Sequence, residues 1–241
     1  HGDDYAVINS FNGYSFWNFI GLTPDEVGSL ILNPVSFYGL WWAYPLLGNE
    51  YQMIYDLIKI LSSVISVYLI FRFFSDYMSY DRAIIASFIF VLYPLHDTTL
   101  YWYMTLQYIL APAILLYAHH LIRNNKIRKG FLVAIVGSFL SYASPPYLFG
   151  LTVIFLYEKK LKKAIVFVTP GILYVAYYFW MKFNYAGLER RINSDLSILD
   201  FLFLCCYRLV IIMRTVLFLI FYFPNSFLYY CFKINSFARA I

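Results

Sequence analysis

Two adjacent carboxylates followed by an aromatic ring, Asp3-Asp4-Tyr5, stand near the start of the chain. A carboxylate beside a hydroxyl can take its proton as a general base, and a pair of them offers hard oxygen ligands to a divalent cation. The plain alternative is an exposed acidic pair at a chain end. A second polar group, His96-Asp97-Thr98-Thr99, interrupts apolar sequence, with Tyr101 and Tyr103 close behind. Polar residues between apolar helices are costly unless solvated or used; the plain alternative is a turn whose Asp97 caps the next helix. Ser138, Ser141, Tyr142 and Ser144-Pro145-Pro146-Tyr147 form a third polar group, of a kind that more often packs helices than binds ligands. For phosphate, the candidates are the guanidinium pair Arg190-Arg191 and Lys59. Lys59 follows Asp56 by three residues, so a helix ion pair is its simpler reading. His119-His120 ends an apolar stretch and reads as interfacial rather than metal-binding. Cys205, Cys206 and Cys231 sit in apolar sequence without ligand spacing and read as packing residues.

The elements that carry these residues are apolar. Of 241 residues, 62% are hydrophobic and 13% charged, and the mean hydropathy is +0.65. Soluble domains hold about 45–50% apolar and about 25% charged residues, so an ordinary soluble enzyme, a disordered chain and a disulfide scaffold are excluded. An all-α, polytopic transmembrane helix bundle is expected. Aromatics at 22% point to extensive contact with membrane interfaces. A bilayer core of about 30 Å takes roughly 20 apolar residues, which 54–75 supply. From 83 to 121 the sequence reads as two spans around the polar turn at 93–99. The stretch 130–157, broken at Ser144-Pro145-Pro146, could be one kinked span or a hairpin of two short ones. A further span covers 164–183, giving about six between 54 and 183, and 198–241 holds one or more. No internal repeat stands out, and 1–241 reads as a single domain.

Charge decides the hairpin. Segments 123–129 and 159–163 each carry four basic residues, and the positive-inside rule puts both on the cytoplasmic side. With Arg72 and Arg82, that side holds ten basic residues against Asp76, Asp81 and Glu158. The other ten acids fall in segments of the outer side: 1–56, the turn at 96–99 and 184–200. Residues 1–53 therefore lie outside, which implies a span preceding His1. Within them, Thr23-Pro24-Asp25-Glu26 has the form of a capping box with proline at the first turn. This segment is expected to form short interfacial helices with aromatic faces turned into the membrane.

With Asp3-Asp4-Tyr5 after an expected first span, interfacial aromatic helices, and short paired spans joined by a polar outer turn, the chain resembles the GT-C class of membrane glycosyltransferases. It looks closest to bacterial members that glucosylate O-antigen or other cell-surface glycans, and more distantly similar to the aminoarabinose transferase and protein mannosyltransferase branches. The resemblance covers most of 1–183 as layout. It implies a sugar donor on a polyisoprenyl phosphate, a glycan or lipid acceptor, membrane lipids as surroundings and no nucleic acid. The site would face outward from a bacterial plasma (inner) membrane. Carried across, Asp3 is the base and Asp4 its partner, holding any divalent cation, and His96 and Asp97 fill the second polar position. Lys59, Arg190 and Arg191 are left for the donor phosphate because 5–58 has no basic residue, and Tyr5, Tyr101 and Tyr103 lie beside these groups. Competing readings are a glycan polymerase or ligase, a lipid or sugar flippase or transporter, and an accessory protein without chemistry.

Overall fold

The computed structural model describes residues 7–92 and 102–185, apart from 8, 12 and 49. The chain divides into two units, His1–Ser194 and Asp195–Ile241, and every described residue lies in the first. The single-domain reading of 1–241 and the span expected in 198–241 thus extend outside the described residues.

Among the described residues all regular structure is helical. Short helices come first: α1 (Phe16–Ile20), α2 (Pro24–Val27), a 3-10 turn (Gly28–Leu32), α3 (Pro34–Gly39) and α4 (Ala43–Leu47). The long ones follow: α5 (Gln52–Phe74), α6 (Tyr80–Leu92), α7 (Gln107–Arg123), α8 (Ile127–Leu140), α9 (Ser144–Tyr157) and α10 (Leu161–Asn184). The capping box forms at α2. Glu26 accepts hydrogen bonds from the Thr23 backbone N–H at 2.7 Å and the Thr23 hydroxyl at 2.8 Å, which hold its carboxyl below the usual range.

Among the described residues, three helices are long and apolar enough to cross a membrane, against the six or so spans expected in 54–183: Gln52–Phe74, Tyr103–Arg123 and Leu161–Asn184. The outward face of α5 is apolar along its length, with Leu57, Ile60, Leu61, Val64, Ile65 and Tyr68 all exposed. These features are compatible with a membrane protein. The apolar stretch 130–157 is two helices of 14 residues each, broken at Ser141–Ala143. At about 21 Å apiece they are shorter than a bilayer core.

The apolar window of α7 is 72% buried, against 22% and 33% for those of α5 and α10, so α7 is the central strut. It packs against both α5 and α8. With α5 it runs parallel and in register: Tyr55 meets Tyr103, Arg72 meets His120, and Asp76 meets Asn124, each pair 48 residues apart. With α8 it runs antiparallel at close range. A Cβ added at Gly130 would lie 2.5 Å from Ile122 Cγ1 and 3.0 Å from the Ala118 carbonyl oxygen, and one at Gly137 would lie 2.7 Å from Leu115 Cδ2. The two glycines are what let the helices approach.

The bundle has two distinct ends. At one, the turns after α5, α7 and α9 converge: His120 meets Asp76, Arg123 meets Glu158, and the Lys163 ammonium donates to the Arg123 carbonyl at 2.7 Å. The segments 123–129 and 158–163 therefore share one end, as a hairpin requires. At the other end lies the short-helix cap. Ser36 Oγ donates to the Leu140 carbonyl at 2.6 Å, and Asn33 Oδ1 accepts from the Tyr142 backbone N–H at 2.7 Å. The break at Ser141–Ala143 is thus covered by the cap rather than left bare.

The two turns at the basic end also repeat each other. Asn125 (φ 62°) and Lys159 (φ 57°) are the non-glycine residues with positive φ among those described. After α7, the N–H of Lys126 bonds the Leu121 carbonyl and that of Asn125 the Ile122 carbonyl; after α9, Lys160 bonds Phe155 and Lys159 bonds Leu156. Both are Schellman turns. About them Leu121–Gly130 aligns with Phe155–Ala164, down to the shared Lys-apolar-basic-basic-small ending. Sequence inspection alone finds no repeat, because the common positions are chemically related rather than identical.

Candidate functional site

The cap is built from rings. Phe37 stacks on Phe19 at 4.7 Å, and Phe11 meets Phe19 edge-on at 5.0 Å. Trp41, Phe37, Phe19 and Tyr44 are each at most 1% exposed. Sequence reading expects these aromatic faces to turn into the membrane; the structure turns these four inward and leaves Trp17, Tyr38 and Phe16 exposed. Polar ties from other tyrosines hold the cap in place around them. Short helices end every few residues, and each end leaves carbonyls without an intrahelical partner. Tyrosines from the long helices and from the turn before α7 satisfy them. Tyr174 donates to Leu32 and Tyr177 to Ile31, both at 2.7 Å, Tyr103 donates to Leu40 at 2.8 Å, and Tyr55 lies within reach of Ala43 at 3.1 Å and Gly48 at 3.2 Å. Tyr174 lies 10 residues, or about 15 Å, before the end of α10 that meets the cap, so the cap reaches down into the bundle.

Of the residues named for catalysis or for the donor, Lys59 and Tyr103 fall within the described part. Lys59 lies on α5 with its ammonium 2.7 Å from Asp56 Oδ1 and its side chain 17% exposed, the helix pair that is its simpler reading. Tyr103 is buried, bonded to Leu40 and set edge-on to Tyr44 at 5.3 Å and Tyr55 at 4.9 Å. It anchors the cap. Asp3, Asp4, Tyr5, His96, Asp97, Tyr101, Arg190 and Arg191 lie outside the described residues. In the third polar group, Ser138 bonds the Ala134 carbonyl, Ser144 bonds that of Gly137, and the Tyr142 hydroxyl accepts from Tyr108. The first is a bond within α8, and the other two tie α9 to α8 and Tyr142 to α7. No group of three or more His, Cys, Asp or Glu converges as a metal set among the described residues.

A network missing from the sequence reading lies at the basic end. His120 Nδ1 is 2.8 Å from Asp76 Oδ2, and its Nε2 is 3.3 Å from an Arg72 guanidinium nitrogen. A guanidinium cannot accept, so the pattern assigns the proton to Nδ1 and the acceptor role to Nε2. Asn124 Nδ2 closes the network onto Asp76 Oδ1 at 3.4 Å and the His120 carbonyl at 2.9 Å. Next to it His119 is fully buried, stacked on Phe155 at 4.1 Å, with no hydrogen-bond partner on either ring nitrogen among the described residues. Beyond it, Arg123 lies over the Tyr77 ring at 4.2 Å and reaches Glu158 at 2.5 Å. Burial pushes the Tyr77 hydroxyl up to about 12 against the pull of Arg123. Burial also raises the Glu158 carboxyl, but Lys160 and Arg123 outweigh it and hold the group below the usual range. Only the parallel register of α5 and α7 brings Asp76 to His120. The one hint in the sequence is that both close apolar stretches at the same end.

The geometry thus separates an aromatic, apolar cap at one end from a basic, hydrogen-bonded floor at the other. Compared with known proteins, this chain matches no protein family, no curated sequence and no solved structure.

Proposed function

We propose that the protein is a membrane glycosyltransferase that moves a sugar from a polyisoprenyl-phosphate donor to a glycan or lipid acceptor at the cap end. The observation that carries the reading is the cap itself. It is an aromatic, apolar layer bonded to Tyr103, which comes four residues after the polar group 96–99 in the sequence. An amphiphilic donor needs an apolar surface for its tail beside polar groups for its head. In the proposed step Asp3 takes the acceptor hydroxyl proton as the oxygen attacks the anomeric carbon. The bond from that carbon to the phosphate oxygen breaks, the polyisoprenyl phosphate leaves, and the anomeric centre inverts. Asp4 supports Asp3 or holds a divalent cation with it, and His96 and Asp97 line the acceptor side. Lys59, Arg190 and Arg191 are the groups for the phosphate.

The test is sugar release from a panel of radiolabelled polyprenyl-phosphate sugars by the protein in lipid, alongside the Asp3→Ala/Asp4→Ala double variant. Turnover with one donor, lost in the double variant, is expected. Turnover that survives in it overturns the assignment of Asp3 and Asp4. A folded protein inert toward every donor overturns the transferase reading.

A further inference from the structure

The two repeated turns hold eight basic residues against one acid, Glu158, and the pairing described above uses only part of them. Arg123 and Lys160 are engaged by Glu158, and Lys163 by the Arg123 carbonyl. Lys126, Arg128, Lys129, Lys159 and Lys162 remain. All five are exposed, and among the described residues none has an ion-pair partner.

Their placement works against local helix electrostatics. Arg128 and Lys129 fall in the first turn of α8, and Lys162 in the first turn of α10. Cations there oppose the helix dipole. The preceding caps, Lys126 and Lys160, give no side-chain hydrogen bond to the free backbone N–H groups. Five like charges in two adjacent turns also repel each other. An arrangement unfavourable by itself, built twice with the same turn geometry, is relieved by negative charge arriving from outside.

Apolar groups interleaved with the cations narrow what that negative charge belongs to. Ile127 and Leu161, each between basic residues, are 39% and 61% exposed; Leu156 and Ile165 alongside are 49% and 54% exposed, and Tyr157 is 88% exposed. A soluble polyanion would gain nothing from these side chains. A phospholipid would gain from both, its headgroup on the cations and its acyl chains on the apolar flank, with lysine stems lying along the boundary. At the cap end, 5–58 holds no Lys or Arg, and Lys59 is paired with Asp56. We infer that the twin turns at 124–129 and 158–163 form a binding surface for anionic phospholipid headgroups, which fixes the level of this end in the membrane. The inference goes beyond the transferase reading and stands independently of it.

The experiment is lipid-selectivity electron paramagnetic resonance on the full chain in phosphatidylcholine bilayers, with trace spin-labelled phosphatidylglycerol or phosphatidylcholine as probe. The anionic probe is expected to be restricted by the protein about fivefold more than the zwitterionic one, the ratio that about 1 kcal/mol of headgroup attraction corresponds to. Raising salt to about 1 M, where the screening length falls to about 3 Å, should remove most of the preference. In the K126Q/R128Q/K129Q/K159Q/K162Q variant the ratio should approach one, and in K126R/K129R/K159R/K162R it should be kept. Equal restriction of both probes by the unmodified protein overturns the inference, as does a preference that survives the five glutamines. Should the glutamine variant fail to enter bilayers, the salt titration decides: a preference indifferent to salt overturns the inference.

Discussion

Replacing Gly130 by alanine tests the close approach of α7 and α8. The new Cβ would stand 2.5 Å from Ile122 Cγ1, 3.0 Å from the Ala118 carbonyl oxygen and 3.1 Å from the Ile122 nitrogen. Two of these atoms are backbone, and Ile122 is fully buried, so a rotamer change cannot relieve the contact and the helices must part. Overpacking of this kind costs about 1–3 kcal/mol, and the absence of a soft neighbour puts this site near about 3. Alanine returns about 1 kcal/mol of helix propensity, leaving a net loss of about 2 kcal/mol. For a chain of this size that lowers Tm by roughly 4–8 °C. Two further glycines calibrate it. A Cβ at Gly137 meets first the Cδ2 end of Leu115, at 2.7 Å, so the loss there should be smaller; at Gly150 nothing lies within 4 Å, so Gly150→Ala should be neutral or stabilising. The assay is thermal unfolding of the purified variants in one detergent, followed by circular dichroism. If Gly130→Ala melts at or above Gly150→Ala, the packing of α7 on α8 described here is wrong.

Tyr174→Phe removes the hydroxyl that satisfies Leu32 and leaves a buried carbonyl without its donor. A loss of about 1–3 kcal/mol is expected, read as a lower Tm and as faster protease cleavage in 28–48; unchanged cleavage would sink the anchoring role. For Glu158, the folded-state carboxyl lies below its ordinary value, so its contribution is present above the unfolded value and disappears as pH falls through the folded one. Tm should therefore drop as pH falls below the ordinary carboxylate range, and Glu158→Gln should flatten that part of the profile.

What the sequence made legible follows from which forces are local. The capping box at Thr23 and Glu26 and the Asp56/Lys59 pair depend on residues three apart, and both form as spacing dictates. The hairpin in 130–157 was legible because charge asymmetry acts on whole segments and needs no knowledge of packing. The inward turn of Phe37, Trp41 and Tyr44 was not legible. Whether an aromatic ring in a short helix faces lipid or protein depends on where the helix's unpaired carbonyls find donors, and those donors are Tyr55, Tyr103, Tyr174 and Tyr177, up to 146 residues away. Composition records 25 tyrosines but not which carbonyl each one serves. The Asp76–His120–Arg72 network was hidden for the same reason. It exists only because α5 and α7 lie parallel with a 48-residue offset, and two apolar helices carry no periodic signal that states their mutual register. Pattern alone therefore resolves the capping box, the local ion pair and the break in 130–157, while the contacts that fix the cap and the floor come from tertiary pairing of side chains that look interchangeable in the sequence.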